Sequence, residues 1–203
     1  DTAYSKLTSF TVTSVGFAKK IIKRNKTKLN DIIYVTGNLG DAYAGLMLMN
    51  NKIKTNKPAI NYFKKKYFAP NLPFDLYKFI PKIASSSMDV SDGLILDLER
   101  MMNRQQLNYK IHLDQVPISN KLKNLIKQNN FKKENFISNG DDYQILFTSS
   151  PKNFNKIKKL AKRIKIKITA IGKITKEANL ILNSNKENLI KTMKIKGYLH
   201  TFR

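Results

Sequence analysis

The sequence predicts an α/β (α+β) domain, a mixed sheet with helices packed on it. Two observations carry that expectation. From residue 31 onward, segments rich in β-branched and aromatic residues alternate with segments of helical periodicity. The 203 residues are also 41% hydrophobic, with 11 Phe and 9 Tyr, which is enough apolar material for a core and excludes global disorder.

Taken in order, TSFTVTSVGF (8–17) has strand composition and KKIIKRNKTKLN (19–30) is a polar connector. DIIYVTG (31–37) reads as a buried strand ended by Gly37. Asp41 then stands where a helix cap belongs, and Ala42, Gly45, Leu46 and Met49 follow at helical spacing. Residues 58–66 read as a second helix and FAPNLP (68–73) as a proline-broken loop. Leu94, Leu98, Met101 and Met102 place an amphipathic helix after the acidic stretch MDVSDGLILDLE. YKIHLDQVP alternates like a strand, ISNKLKNLIKQNN is helical, and YQILFTSS is a strand. PKNFNKIKKLAKRIK is a basic helix opened by Pro151. KITAIGKIT predicts a strand ended by a glycine turn, and ANLILNS a further strand.

Charge narrows the function. Lys+Arg number 38 against 14 Asp+Glu, a formal +24. Only five of the basic residues are arginine, whereas base readout and bidentate phosphate recognition favour arginine. Lysine travels here with Asn and Ile, as a nucleotide bias would produce. No specific nucleic-acid partner is therefore expected, only weak affinity at low salt. There is no cysteine, so disulfides and thiolate metal sites are excluded. No apolar run approaches the roughly 20 residues of a membrane span, and the start lacks the order of a signal peptide. The expectation is a cytoplasmic protein without a membrane partner.

Against that basic background, six carboxylates crowd into two segments. Asp89, Asp92, Asp97 and Glu99 lie in MDVSDGLILDLE, and Asp141 and Asp142 in SNGDDYQILF. Acids three apart, with a hydroxyl between and glycine after, fit a loop feeding a helix that Ser91 caps. Mg²⁺ takes one or two carboxylates and completes its shell with water and phosphate, so Asp89 and Asp92 suffice for it. An ordinary capped helix with acids at its N-terminus satisfies the same spacing, and both readings stand. Asn-Gly-Asp before a strand is also good turn chemistry. The glycines of GNLGDAYAG match neither phosphate-loop fingerprint and read as close helix packing. His112 and His200 are too isolated for a triad or a zinc site.

In order, DIIYVTGNLGDAYAGL, SSSMDVSDGLILDL, SNGDDYQILF, IGKIT and KGYLHTF resemble the C-terminal two-thirds of the bacterial thiamine-monophosphate kinases. These belong to the ATP-binding superfamily of aminoimidazole ribonucleotide synthetase, whose C-terminal domain type is the fold implied. The resemblance implies transfer of the ATP γ-phosphate directly to thiamine monophosphate, with Mg²⁺ as cofactor and no side-chain nucleophile. It implies Asp1, Asp89 and Asp92 as metal ligands, and Asp1, Arg24 and Ser91 as ATP contacts. Asp141 and Tyr198 would meet the substrate. It divides the chain into residues 1–17, the last strand of an N-terminal ATP-binding domain, a connector at 18–30, and a C-terminal domain at 31–203. The rest of that N-terminal domain supplies most of the family's metal-binding aspartates and its homodimer interface. The 203 residues alone are accordingly expected to be inactive. The chain departs from the family at Asp141 (usually Glu), Ala69 (often Arg), Leu199 (an acid) and Thr201 (an insertion).

Overall fold

The computed structural model describes residues 11–183 and 186–191. Seven strands form one sheet: β1 (Ile32–Thr36), β2 (Ser86–Val90), β3 (Asn108–His112), β4 (Gln144–Ser149), β5 (Ile168–Thr175), β6 (Leu180–Asn183) and β7 (Lys186–Lys191). Their order is β2-β4-β1-β5-β3-β6-β7, antiparallel throughout except for the parallel β3–β6 pair. The helices are α1 (Asp41–Met49), α2 (Lys57–Phe68), α3 (Ile80–Ile83), α4 (Leu94–Met101), α5 (Asn120–Asn129), α6 (Glu134–Ile137) and α7 (Phe154–Arg163). The mixed α/β architecture is the one the sequence predicts.

Side-chain alternation along the strands builds two cores. Ile33 and Val35 of β1 face a large cluster with Leu48 of α1, Phe63 of α2, Leu98 of α4 and Leu122 of α5. Tyr34 faces the other way and stacks on Phe147 at 5.1 Å, over Ile83 of α3 and Ile157 and Leu160 of α7. Helices thus cover both faces of the sheet. The basic helix α7 lays Ile157 and Leu160 inward and turns its lysines to solvent, as its periodicity demands. Gly45 does what the small-residue spacing implies: a Cβ there would stand 2.4 Å from the Phe63 carbonyl oxygen, so α1 and α2 touch backbone to backbone.

Two expectations fail locally, and two elements were not foreseen. Over its described part, 11–17, the expected strand at 8–17 is irregular, with Val12, Val15 and Phe17 exposed. β-propensity needs a ladder, and this segment pairs with no strand among the described residues. Gly172 does not end β5 but lies inside it. The register on β1 skips Ile171 there, and a Cβ at Gly172 would sit 2.1 Å from the Lys110 carbonyl oxygen. The four-residue α6 and strand β7 carry no sequence signal that marked them in advance.

Candidate active site

Antiparallel pairing brings the C-terminal ends of β1 and β2 beside the N-terminal ends of β4 and β5, all on one edge of the sheet. Both acidic segments lie there. Asp89 sits on β2 opposite Ile145 of β4, and the pairing continues past the strands. The Tyr143 amide donates to the Val90 carbonyl at 2.9 Å and the Asp141 amide to the Ser91 carbonyl at 3.0 Å. A Cβ on Gly140 would stand 1.6 Å from the Ser91 carbonyl oxygen, and one on Gly93 2.1 Å from that of Ser138. The two motifs therefore lie backbone against backbone, a juxtaposition that sequence spacing cannot show.

Burial sorts the acids into two sets. Asp97 has no exposed side-chain surface, and its Oδ2 accepts from the amides of Ser91 and Asp92 at 2.9 Å and of Gly93 at 3.1 Å. This corrects the cap assigned to Ser91: α4 starts after Gly93 with no side-chain cap, and an acid inside the helix reaches back to the loop. Asp142 is also buried and accepts from the amides of Gly40 (2.6 Å) and Ala42 (3.3 Å), so it caps α1 from the other motif. Asp41 is the first residue of α1, not its cap, and receives the Ser119 hydroxyl at 2.6 Å and the Tyr62 hydroxyl at 2.8 Å. These three acids are internal. Asp89 is exposed, and Asp92 and Asp141 are half-buried. That second set is the more open to a ligand.

Burial raises the internal carboxyls above the usual range. Asp97 is pushed up to about 6 although its amide donors pull it down, and Asp142 to about 8 against the same opposition. For Asp142 the sign is definite. Between an ordinary carboxylate value of roughly 4 and about 8, the folded chain holds more protons than the unfolded one, so stability falls as pH rises. We expect the urea midpoint of the unaltered chain to drop relative to Asp142→Asn between pH 4 and 8. A constant offset across that range would contradict the assignment.

The remaining expected residues are placed unevenly. Arg24 is exposed, in a segment pinned by the Asn25 amide on the Met101 carbonyl (2.9 Å) and the Lys26 amide on the Ser86 hydroxyl (2.8 Å). Its charge reaches Asp97, so it lies beside the cluster. The Ser91 amide belongs to Asp97, and Ser91 itself is half-buried between the motifs. Asp141 and Tyr143 take left-handed backbone, φ 65° and 50°, which bulky residues adopt only when held. Asp1 and Tyr198 lie outside the described residues, and His112 is half-buried on β3. Sequence reasoning missed a polar pocket of about 300 Å³ on the same edge, lined by Asp41, Lys66, Asn71, Asp142, Gln144 and Lys167 among others.

Whether these residues suit Mg²⁺ follows from their donors. Among the described residues no three His, Cys, Asp or Glu side chains gather into a metal cage. Asp89 and Asp92 are hard oxygen donors that open to solvent, which fits an ion that keeps water and phosphate in its shell rather than a closed site.

Residues 28–184 match the model of the AIR synthase related protein, C-terminal domain. The chain belongs to that family. As an AIR synthase related chain it is 37% identical over 200 residues to the thiamine-monophosphate kinase of Buchnera aphidicola subsp. Acyrthosiphon pisum, covering 95% of this chain and 60% of the relative. The Haemophilus influenzae thiamine-monophosphate kinase is 32% identical, over 83% of this chain and 52% of its own length. The solved structure of AaThiL complexed with AMPPCP and TMP superposes with a TM-score of 0.73 at 27% identity, over 90% of this chain and 55% of that one. Escherichia coli HypE, at 10% identity and a TM-score of 0.64 over 86% of this chain and 52% of that one, shares the fold alone. This AIR synthase related chain thus spans 60% or less of the length of these relatives.

Proposed function

We propose that the chain forms the C-terminal part of a thiamine-monophosphate kinase that moves the γ-phosphate of ATP onto the phosphate of thiamine monophosphate. One observation carries this reading: Asp89, Asp92 and Asp141, three of the acids that remain open to solvent, come from two motifs locked together on one sheet edge. The similarity to named thiamine-monophosphate kinases, and to a structure holding AMPPCP and TMP, supports the substrate pair.

Asp89 and Asp92 would hold Mg²⁺, which would offset phosphate charge when bound. Asp97 keeps the Ser91–Gly93 turn, which carries Asp92, in shape. Ser91 and Arg24 face the nucleotide phosphates. Asp141 orients the substrate from a backbone held at positive φ. Asp1 joins the metal and nucleotide, and Tyr198 lines the thiamine pocket, where an aromatic face suits a thiazolium; both assignments rest on sequence. The catalytic contribution is positional and electrostatic, with no phosphoenzyme. A homodimer and a cytoplasmic location belong to the same proposal; among the described residues no helix is long and apolar enough to cross a membrane.

The acceptor is tested by a chimera joining the portion of the Buchnera relative that this chain does not cover to residues 1–203. With ATP and Mg²⁺ it is expected to convert thiamine monophosphate and to leave aminoimidazole ribonucleotide precursors untouched. Turnover of the precursors alone would move the chain to another branch of the superfamily.

A further inference from the structure

Arg100 pairs directly with two acids, and both belong to the acidic motif. It stands in the last turn of α4, yet long helical side chains lean toward the N-terminus, and this one reaches back to Asp92. Its Nη1 also lies 3.6 Å from Oδ1 of Asp97. That oxygen has no hydrogen-bond partner among the described residues, while the other oxygen of Asp97 is saturated by three amides. The two acids differ in access: the Asp97 side chain is sealed and that of Asp92 is 21% exposed. Arg100 itself is 39% exposed.

A guanidinium spanning a closed acid and an open one occupies the place a metal ion needs. The Asp92 carboxylate is engaged, its partner is monovalent, and the pair is partly in water, where such pairs are weak. A divalent cation outcompetes it, yet Asp97 keeps an attraction on the displaced guanidinium. The planar fork of arginine matches phosphate as well as carboxylate.

The geometry points to Arg100 as a positioning residue of this site: it holds the Asp92 carboxylate as a stand-in cation, yields it to the arriving divalent ion, and then takes a phosphate oxygen of the nucleotide. This rests on the reading of Asp89 and Asp92 as metal ligands. Metal binding and nucleotide binding become coupled through one side chain, which neither acid supplies alone.

The test is Mn²⁺ binding to the Buchnera chimera, followed by the electron paramagnetic resonance of free Mn²⁺ with and without AMPPCP. Arg100→Gln is expected to bind Mn²⁺ alone roughly two- to fivefold more tightly, an ordinary scale for relief of one such contact. It is also expected to lose most of the tightening that AMPPCP produces in the unaltered chimera. Unchanged or weaker Mn²⁺ binding in Arg100→Gln, with Asp89→Asn abolishing it, would overturn the role of Arg100 and leave the metal site standing. Unchanged binding in Asp89→Asn would remove the metal reading itself. Tighter Mn²⁺ binding with the full AMPPCP effect retained would contradict the transfer to phosphate.

Discussion

Gly140→Ala is expected to unfold the sheet edge and to cost about 3 kcal/mol or more, the upper range for overpacking. The added methyl would lie 1.6 Å from the Ser91 carbonyl oxygen, 2.1 Å from its carbon and 2.6 Å from the Asp92 nitrogen. All three are backbone atoms, so no side-chain rotation relieves the clash. The loop 138–143 must lift from 90–93, breaking the Asp141–Ser91 and Tyr143–Val90 hydrogen bonds. Asp142 rides on the same loop, and pulling it away uncaps α1. Urea denaturation of the purified chain measures the effect. By contrast Gly16→Ala, whose Cβ meets nothing within 4 Å, is expected to leave the midpoint unchanged. Equal midpoints for the two variants would mean that the motifs are not packed as described.

Much of the fold was legible because periodicity reports burial directly. Ile33 and Val35, Leu94 and Leu98, and Ile157 and Leu160 occupy the inward positions their spacing implies. The failures have physical causes. Gly172 reads as a turn because glycine usually marks one, whereas here it lets β3 approach a bulged strand. Residues 11–17 have strand composition, but composition cannot provide a partner. At the site, sequence spacing singled out two segments that the fold packs together, yet could not divide their acids. Asp97 and Asp142 look as available as Asp89 and Asp141 until burial and amide partners separate them. The Asp92–Arg100 pair, eight residues apart, follows no local rule of helix pairing, because Asp92 precedes the helix.

Asp89→Asn is the second large effect expected, and it bears on the whole account. The substitution keeps shape and strand position but removes one of the charges assigned to Mg²⁺. Asp89 is exposed and donates nothing to the core, so the fold should persist. Electrostatic stabilisation of a transferring phosphate is worth a large share of catalysis, and loss of one such contact typically costs on the order of 100-fold or more. The measurement is thiamine diphosphate formed from ATP and thiamine monophosphate by the Buchnera chimera, with Mg²⁺ saturating, in parallel with its Asp89→Asn form. Mg²⁺-dependent product is expected in the first and a fall in kcat of about 100-fold or more in the second. Product formed at an equal kcat by both would contradict this assignment, because the carboxylate at the edge of the sheet would then have no part in phosphate transfer.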